Sequence, residues 1–356
     1  MSGFADPVAA DSHLRLRLVD AEARRLSTSL SAIEHIDHSL WIAGDESTSL
    51  VRLTLDRQGD YGDQKSFALG DFFPALRRKV KQEMDLEALS WDADESRLWF
   101  VGSHSLRRKD REALDSAASD EALTALGKID RQQNRYVLGS VVLQDAADGS
   151  GRTPVSGSAT AVPFDEESSS LVSLLKSDAG FAPFMDIPSK ENGFDIEGLA
   201  VAPSRLFLGL RGPVMRGLAG VLQFRVANGK DVVLKADGGT KPWRHCLLDL
   251  GGLGVRDLCV QDKDLLVLAG PTMKLDGPVR LYRWKGALDG DASGLVDGNA
   301  LQPLFNIAFG EGSDHAEGIA LLKTGEGKRL IVVYDSPSPA RLNGGDHYTA
   351  DVFDLR

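Results

Sequence analysis

The alternation of apolar and polar positions along the chain repeats one motif five times. Five apolar runs align without gaps: LWIAGDES from Leu40, LWFVGSHS from Leu98, LFLGLRGP from Leu206, LLVLAGPT from Leu265 and LIVVYDSP from Leu330. Each reads as a buried strand that runs into turn-forming or polar residues. A second short apolar run precedes each of them: SAIEH from Ser31, EALSW from Glu87, EGLAV from Glu197, RDLCV from Arg256 and EGIAL from Glu317. The first residues of the two runs stand 9, 11, 9, 9 and 13 residues apart, which predicts five hairpins of an A strand and a B strand. A third strand follows each B, as LVRLTLD from Leu50, YVLGSVVL from Tyr136, GVLQFRV from Gly220, VRLYRW from Val279 and YTADVFDL from Tyr348. A fourth is expected before the next A, in SFALGDFF, PFMDIP, HCLLDL and PLFNIAF.

Four strands per repeat predict an all-β fold, a five-bladed β-propeller forming a single domain over residues 1–356. The fifth repeat lacks its fourth strand, and HLRLRLVD, His13 to Asp20, alternates as a strand near the other end of the chain. Pairing it with the last blade closes the ring and removes sheet edges that invite aggregation. Successive A strands are 56, 110, 59 and 61 residues apart, so the double interval leaves six blades as the alternative. Its contents favour five. Residues 106–134 and 166–178 carry Leu123, Leu126 and Ile129, then Leu171, Leu174 and Leu175, at helical spacing. They read as two helical insertions into blade two, with no evident role inside a propeller and free to meet a protein partner.

Composition narrows the class without changing the fold. An apolar share of 42% with 37 glycines fits a folded, turn-rich chain. The formal charge of −11 opposes polyphosphate backbones, so nucleic acid is not an expected partner. Cys246 and Cys259 are too few for a disulfide framework or a zinc site. The opening residues lack a basic head before an apolar run, and no stretch is long enough to span a bilayer. A cytoplasmic location without membrane contact is the expectation.

In a propeller the A strands line the central channel, and the start of A and the end of B share one face. The first A positions hold Ser31, Glu87, Glu197, Arg256 and Glu317, and Asp85, Asp195 and His315 stand two residues before the glutamates. The B ends add Asp45, Ser103, His104, Arg211 and Asp335 to this rim, and the loops beyond carry Arg108 and Arg341. Three readings stay open, one of them a metal-free polar pocket. The carboxylates latch neighbouring blades through backbone amides and Arg256, or Glu87, Glu197, Glu317 and Asp195 bind a hard cation such as calcium. Arg211, Arg256, Arg108 and Arg341 are candidates to hold a small anionic molecule, since guanidinium suits carboxylate and phosphate. His104, His315 and Asp335 are the candidates for acid–base work. No phosphate-binding Gly-Lys-Ser/Thr loop, His-Glu-x-x-His or Gly-x-Ser-x-Gly elbow occurs, so no complete catalytic constellation is written in the chain.

NGFDIEGLAV, LGLRGPVMRG, LGGLGVRDL, LLVLAGPTMKLDGP, DHAEGIAL and VVYDSPS, with DLEALSW, VGSHSLRRK and RQQNRYVL, resemble the bacterial domain-of-unknown-function family numbered 3616. The resemblance spans nearly the whole chain and implies a soluble bacterial protein without an assigned activity. The family usually has Glu-Gly where this chain has Glu87-Ala88. More distantly, Asp195 to Gly198 resembles phytase-like propellers, which implies calcium and acidic channel residues acting on phosphate esters. The two expectations for function are therefore a ligand-binding or interaction propeller and a calcium-dependent hydrolase of phosphorylated small molecules.

Overall fold

The computed structural model describes the chain except residues 1–5, 20, 74–75, 77–83, 109–118, 166–167, 204, 228–232, 236–242, 291–292, 323–326, 343–346 and 356. After β1 (Ser12–Arg17), the first repeat comprises β2 (Leu30–Ile36), β3 (Ser39–Gly44), β4 (Ser49–Leu55) and β5 (Tyr61–Ala68). The second has β6 (Leu86–Asp92) and β7 (Arg97–Gly102), then β8 (Arg107–Arg108) and β9 (Ile129–Asp130) as a separate ribbon, then β10 (Leu138–Asp145), β11 (Arg152–Pro154) and β12 (Thr160–Ala161). The third is β13 (Asp195–Ala202), β14 (Arg205–Gly212), β15 (Leu218–Ala227), β16 (Val233–Lys235) and β17 (Trp243–Asp249). The fourth is β18 (Gly254–Gln261), β19 (Asp264–Gly270) and β20 (Val279–Trp284), with β21 (Gly294–Leu295) crossing to β17 before β22 (Leu301–Ile307). The fifth is β23 (His315–Leu322), β24 (Lys328–Asp335) and β25 (His347–Leu355).

The repeated runs are apolar on successive residues because the sheets stack face to face. A strand covered on both faces needs no polar side, and β3 and β13 are buried along their whole length. Five apolar clusters fill the spaces between sheets, and each draws on two consecutive repeats. Trp41 and Phe100 share one, Trp99 and Leu208 the next, then Phe207 and Val267, and Leu268 and Val332. The remaining cluster joins the fifth repeat to the first through Val333, Ile331, Ile33 and Ile42. The inner strands follow the same order: β2 packs on β6, β6 on β13, β13 on β18, β18 on β23, and β23 back on β2.

The N-terminal strand completes the last sheet. β1 pairs antiparallel with β25 from Ser12 opposite Val352 to Arg17 opposite His347, and Leu16 also bridges to Tyr61 of β5. Leu16 and Leu18 are fully buried by this arrangement. The fourth strand of the first repeat ends at Ala68, and Leu69–Phe72 of the anticipated SFALGDFF is a helix. Another anticipated strand does not form. PFMDIP contains the 3-10 turn Ala182–Phe184, and β10 is instead paired by the short β11 and β12. The two prolines of that segment remove backbone donors that a ladder position would need. Of the anticipated insertions, residues 106–134 hold the β8–β9 ribbon and a helix at Ser119–Leu126, with 109–118 outside the described residues. The helix Ser170–Lys176 is more than an appendage, because Leu171, Val172 and Leu175 are buried in the cluster between the second and third repeats. Among the described residues no helix is long and apolar enough to cross a membrane.

Candidate functional site at the inner-strand bulges

Every inner strand breaks register at the same place. The residues flanking Ser31, Glu87, Glu197, Arg256 and Glu317 pair with consecutive residues of the neighbouring strand, so each of these five is the extra residue of a β-bulge. A bulge interrupts the in-out alternation and re-aims the side chain it carries. Here the strands that bear the bulges pack in sequence, so their extra side chains converge. In the third and fifth repeats a glycine after the bulge permits that approach. A Cβ at Gly318 would stand 2.7 Å from the Ser31 carbonyl oxygen, and one at Gly198 would stand 3.0 Å from Leu258 Cγ.

Arg256 joins three of the repeats. Its Nε lies 3.0 Å from Glu197 Oε2, and its Nη2 pairs with Glu317 Oε1. Arg211, near the end of β14, places Nη1 2.5 Å from Glu197 Oε1 and 3.5 Å from Asp195 Oδ2, while its Nε donates to the Thr272 carbonyl at 3.0 Å. A third buried guanidinium comes from Arg135, whose Nη1 is 2.7 Å from Asp85 Oδ2 and 3.2 Å from Ser105 Oγ. Ser31, at the remaining bulge, donates to the Leu86 carbonyl at 2.5 Å. Asp257, next to Arg256, receives the Leu258 amide at 2.7 Å and the Ile319 amide at 2.8 Å, tying β18 to β23.

The first and second repeats hold the opposite balance. The Asp85 amide donates to the Asp45 carbonyl at 3.0 Å, which stitches the end of β3 to the start of β6. Asp85 adopts a left-handed φ of 52°, a conformation that Asp tolerates better than most residues. One carboxylate oxygen from each of Asp45, Asp85 and Glu87 then lies within 4.8 Å of the others. Burial pushes both Asp45 and Glu87 well above the usual carboxylate range, and the charge of Asp85 adds to it in each case. Burial likewise raises Asp195 to about 8, with Glu197 and Asp85 contributing and Arg211 opposing. Burial works against the Arg211 guanidinium, but Glu197 and Asp195 outweigh it and hold the charge in place.

The remaining anticipated residues do not gather there. Arg108 is committed to Glu191 through Nε at 2.5 Å and Nη2 at 3.0 Å, an exposed pair between the second-repeat ribbon and the approach to β13. Arg341 pairs with Asp314 and Asp351 and covers the Tyr334 ring at 3.7 Å, so it braces the last sheet. His315 turns to Asp276, with Nε2 2.8 to 3.2 Å being the normal hydrogen-bond span and 3.0 Å the observed distance. His104 is buried, its Nδ1 2.8 Å from the Gly102 carbonyl, and burial pushes it down to about 4 despite that contact. Asp335 lies near enough for its charge to raise Asp45, and it accepts the Ser336 hydroxyl at 3.0 Å. The three acid–base candidates therefore do not form one constellation. The anticipated metal set of Glu87, Glu197, Glu317 and Asp195 is also divided, because Arg256 occupies Glu197 and Glu317. Arg135 escaped sequence reasoning. It sits in a short 3-10 turn, Gln133–Tyr136, between β7 and β10, where no apolar period marks it. On the ribbon side, Leu126 and Ile129 are exposed.

A family model described as "Protein of unknown function (DUF3616)" matches residues 29–351. No curated protein matches the chain. Among solved structures it is similar to the glutaminyl cyclase of Myxococcus xanthus, at 9% identity and a TM-score of 0.43 over 99% of this chain and 100% of that one. It is also similar to the PQQ-bound aldose sugar dehydrogenase of Streptomyces coelicolor, at 11% identity and a TM-score of 0.39 over 98% and 99% of the two chains. The Cps50 (Swd1) β-propeller domain of Myceliophteria thermophila is similar at 9% identity and a TM-score of 0.37, over 92% and 98%.

Proposed function

Because the chain belongs to the DUF3616 family of unknown function, we propose from its own geometry that it is a single-domain, five-bladed β-propeller that binds a positively charged ligand at the mouth of its channel. The blade count rests on the five shared apolar clusters and the cyclic order of the inner strands. The binding reading rests on one observation. Arg135, Arg211 and Arg256 are paired with Asp85, Asp195, Glu197 and Glu317, while no ion pair with a cation is described for Asp45 or Glu87. Buried carboxylates that no cation contacts directly are costly, and a cation drawn from solution removes the cost.

The anionic ligand expected from the basic residues draws no support, since Arg108, Arg211, Arg256 and Arg341 all spend their charge on carboxylates of this chain. A phosphate-ester hydrolase would need such groups to hold its substrate, so the binding reading is preferred. Thermal unfolding and calorimetric titration against two panels test it. Calcium, magnesium and spermidine form the first panel, and inorganic phosphate and citrate the second. Stabilisation by at least one cation and by neither anion is expected. Stabilisation by the anions alone would overturn the proposal.

A further inference from the structure

We infer that Asp45, Asp85 and Glu87 hold one hard divalent cation, with Asp195 as a fourth oxygen donor, at the junction of the first two repeats. The inference rests on the binding reading above and names the chemical class of its ligand. Three carboxylate oxygens within 4.8 Å of one another lie at the separation that a shared ion spans, and all the donors are oxygen. That set suits calcium, magnesium or manganese and lacks the imidazole and thiolate that zinc sites favour.

A second observation points to a missing partner. Asp195 is 2% exposed, and its Oδ1 has no hydrogen-bond partner although Arg211 holds its other oxygen. The Ser103 amide donates to the Asp85 carbonyl, and the Ser103 carbonyl accepts the Ile196 amide at 2.9 Å, so the backbone holds Asp195 next to Asp85. Asp45 Oδ1 is equally shielded and equally without a partner. A buried oxygen that accepts nothing forfeits its hydration without return, so two such oxygens beside a carboxylate cluster mark a place for a ligand. Arg135 contacts Asp85 and supplies one positive charge that all four carboxylates share.

The backbone arrangement supplies rigidity. The Asp85 amide is fixed to the Asp45 carbonyl, and the Asp85 carbonyl receives the Ser103 amide at 3.1 Å. Glu87 is held on its bulge. An ion therefore meets donors carried by two neighbouring sheets and clamps them together.

The test uses full-length protein stripped with EDTA and desalted. Calcium and magnesium are titrated calorimetrically into wild type, Asp45→Asn, Glu87→Gln and the distant exposed control Asp148→Asn. One ion per chain is expected for wild type and the control, with affinity reduced about tenfold or more in the two site variants. Without metal, both site variants should melt at or above the wild-type temperature, because a neutral amide of the same shape needs no counter-charge in a buried site. That readout separates a lost ligand from a damaged fold. If spermidine binds and neither metal does, the divalent site is wrong while the cation-binding reading stands. If no cation binds, both fall. Metal binding that is unchanged in both site variants places the ion elsewhere and overturns the inference.

Discussion

Replacing Arg256 by methionine tests whether the bulge residues act as an electrostatic joint between repeats. Methionine preserves much of the aliphatic stem, which lies over Gly270 where an added Cβ would meet Arg256 Cγ at 3.0 Å. What disappears is the charge. Glu197 keeps Arg211 at 2.5 Å, whereas the ion pair described for Glu317 is the one with Arg256. One buried carboxylate is thus left without its cation, and breaking a buried pair typically costs about 3–5 kcal/mol. The retained Arg211 contact places the expected loss at the lower end, about 3 kcal/mol. For 356 residues the unfolding entropy is about 0.75 kcal/mol/K near 60 °C, so the melting temperature should fall by about 4 °C. Urea unfolding of Arg256→Met, Glu317→Gln and the double variant completes a cycle. The double variant should recover most of the loss, with a coupling of about 2 kcal/mol between the two positions. Coupling within about 0.5 kcal/mol of zero would refute the joint, since groups that do not interact are additive to that degree.

Two further outcomes follow from groups outside the carboxylate cluster. His104 is buried with its folded-state pKa depressed to about 4 from 6.5, so its contribution to stability is present above pH 6.5 and is lost as pH falls towards 4. The full effect is about 3 kcal/mol. His104→Asn, which removes the titrating ring and suits the left-handed φ of 55°, should flatten that part of the stability profile measured by urea unfolding between pH 4 and 7. An unchanged slope would show that His104 is not the titrating group. Deleting residues 1–18 removes the whole of β1 with the buried Leu16 and Leu18 and bares the β25 edge, so the shortened protein should melt lower and aggregate, as read by calorimetry and light scattering. A melting temperature equal to that of the full chain would show that β1 does not hold the ring closed.

The part of the site that was legible in the sequence is the part that repeats. Ser31, Glu87, Glu197, Arg256 and Glu317 align because a bulge recurs once per hairpin, and the ungapped register carried each of them to the same place. The strands were legible for the same reason, as runs buried on both faces. PFMDIP misled because apolar content without alternation does not distinguish a strand from a packed turn, while β11 and β12 are too short to show a period. The contact of Arg256 with the aligned glutamates was legible, but the rest of the charge balance was not, because its members come from unlike positions. Arg211 lies near the end of a second strand, Arg256 occupies a bulge, and Arg135 belongs to the turn between β7 and β10. Asp45 and Asp85 lie 40 residues apart and meet through a backbone hydrogen bond that no side-chain pattern encodes. Alignment of equivalent positions thus predicts a ring of like charges, whereas the fold divides it. Arg211 and Arg256 neutralise the third to fifth repeats, and Arg135 alone faces the carboxylates between the first and second. A ligand site arises where the repeats cease to be equivalent, so it is sought in the residues that each repeat has and its neighbours lack.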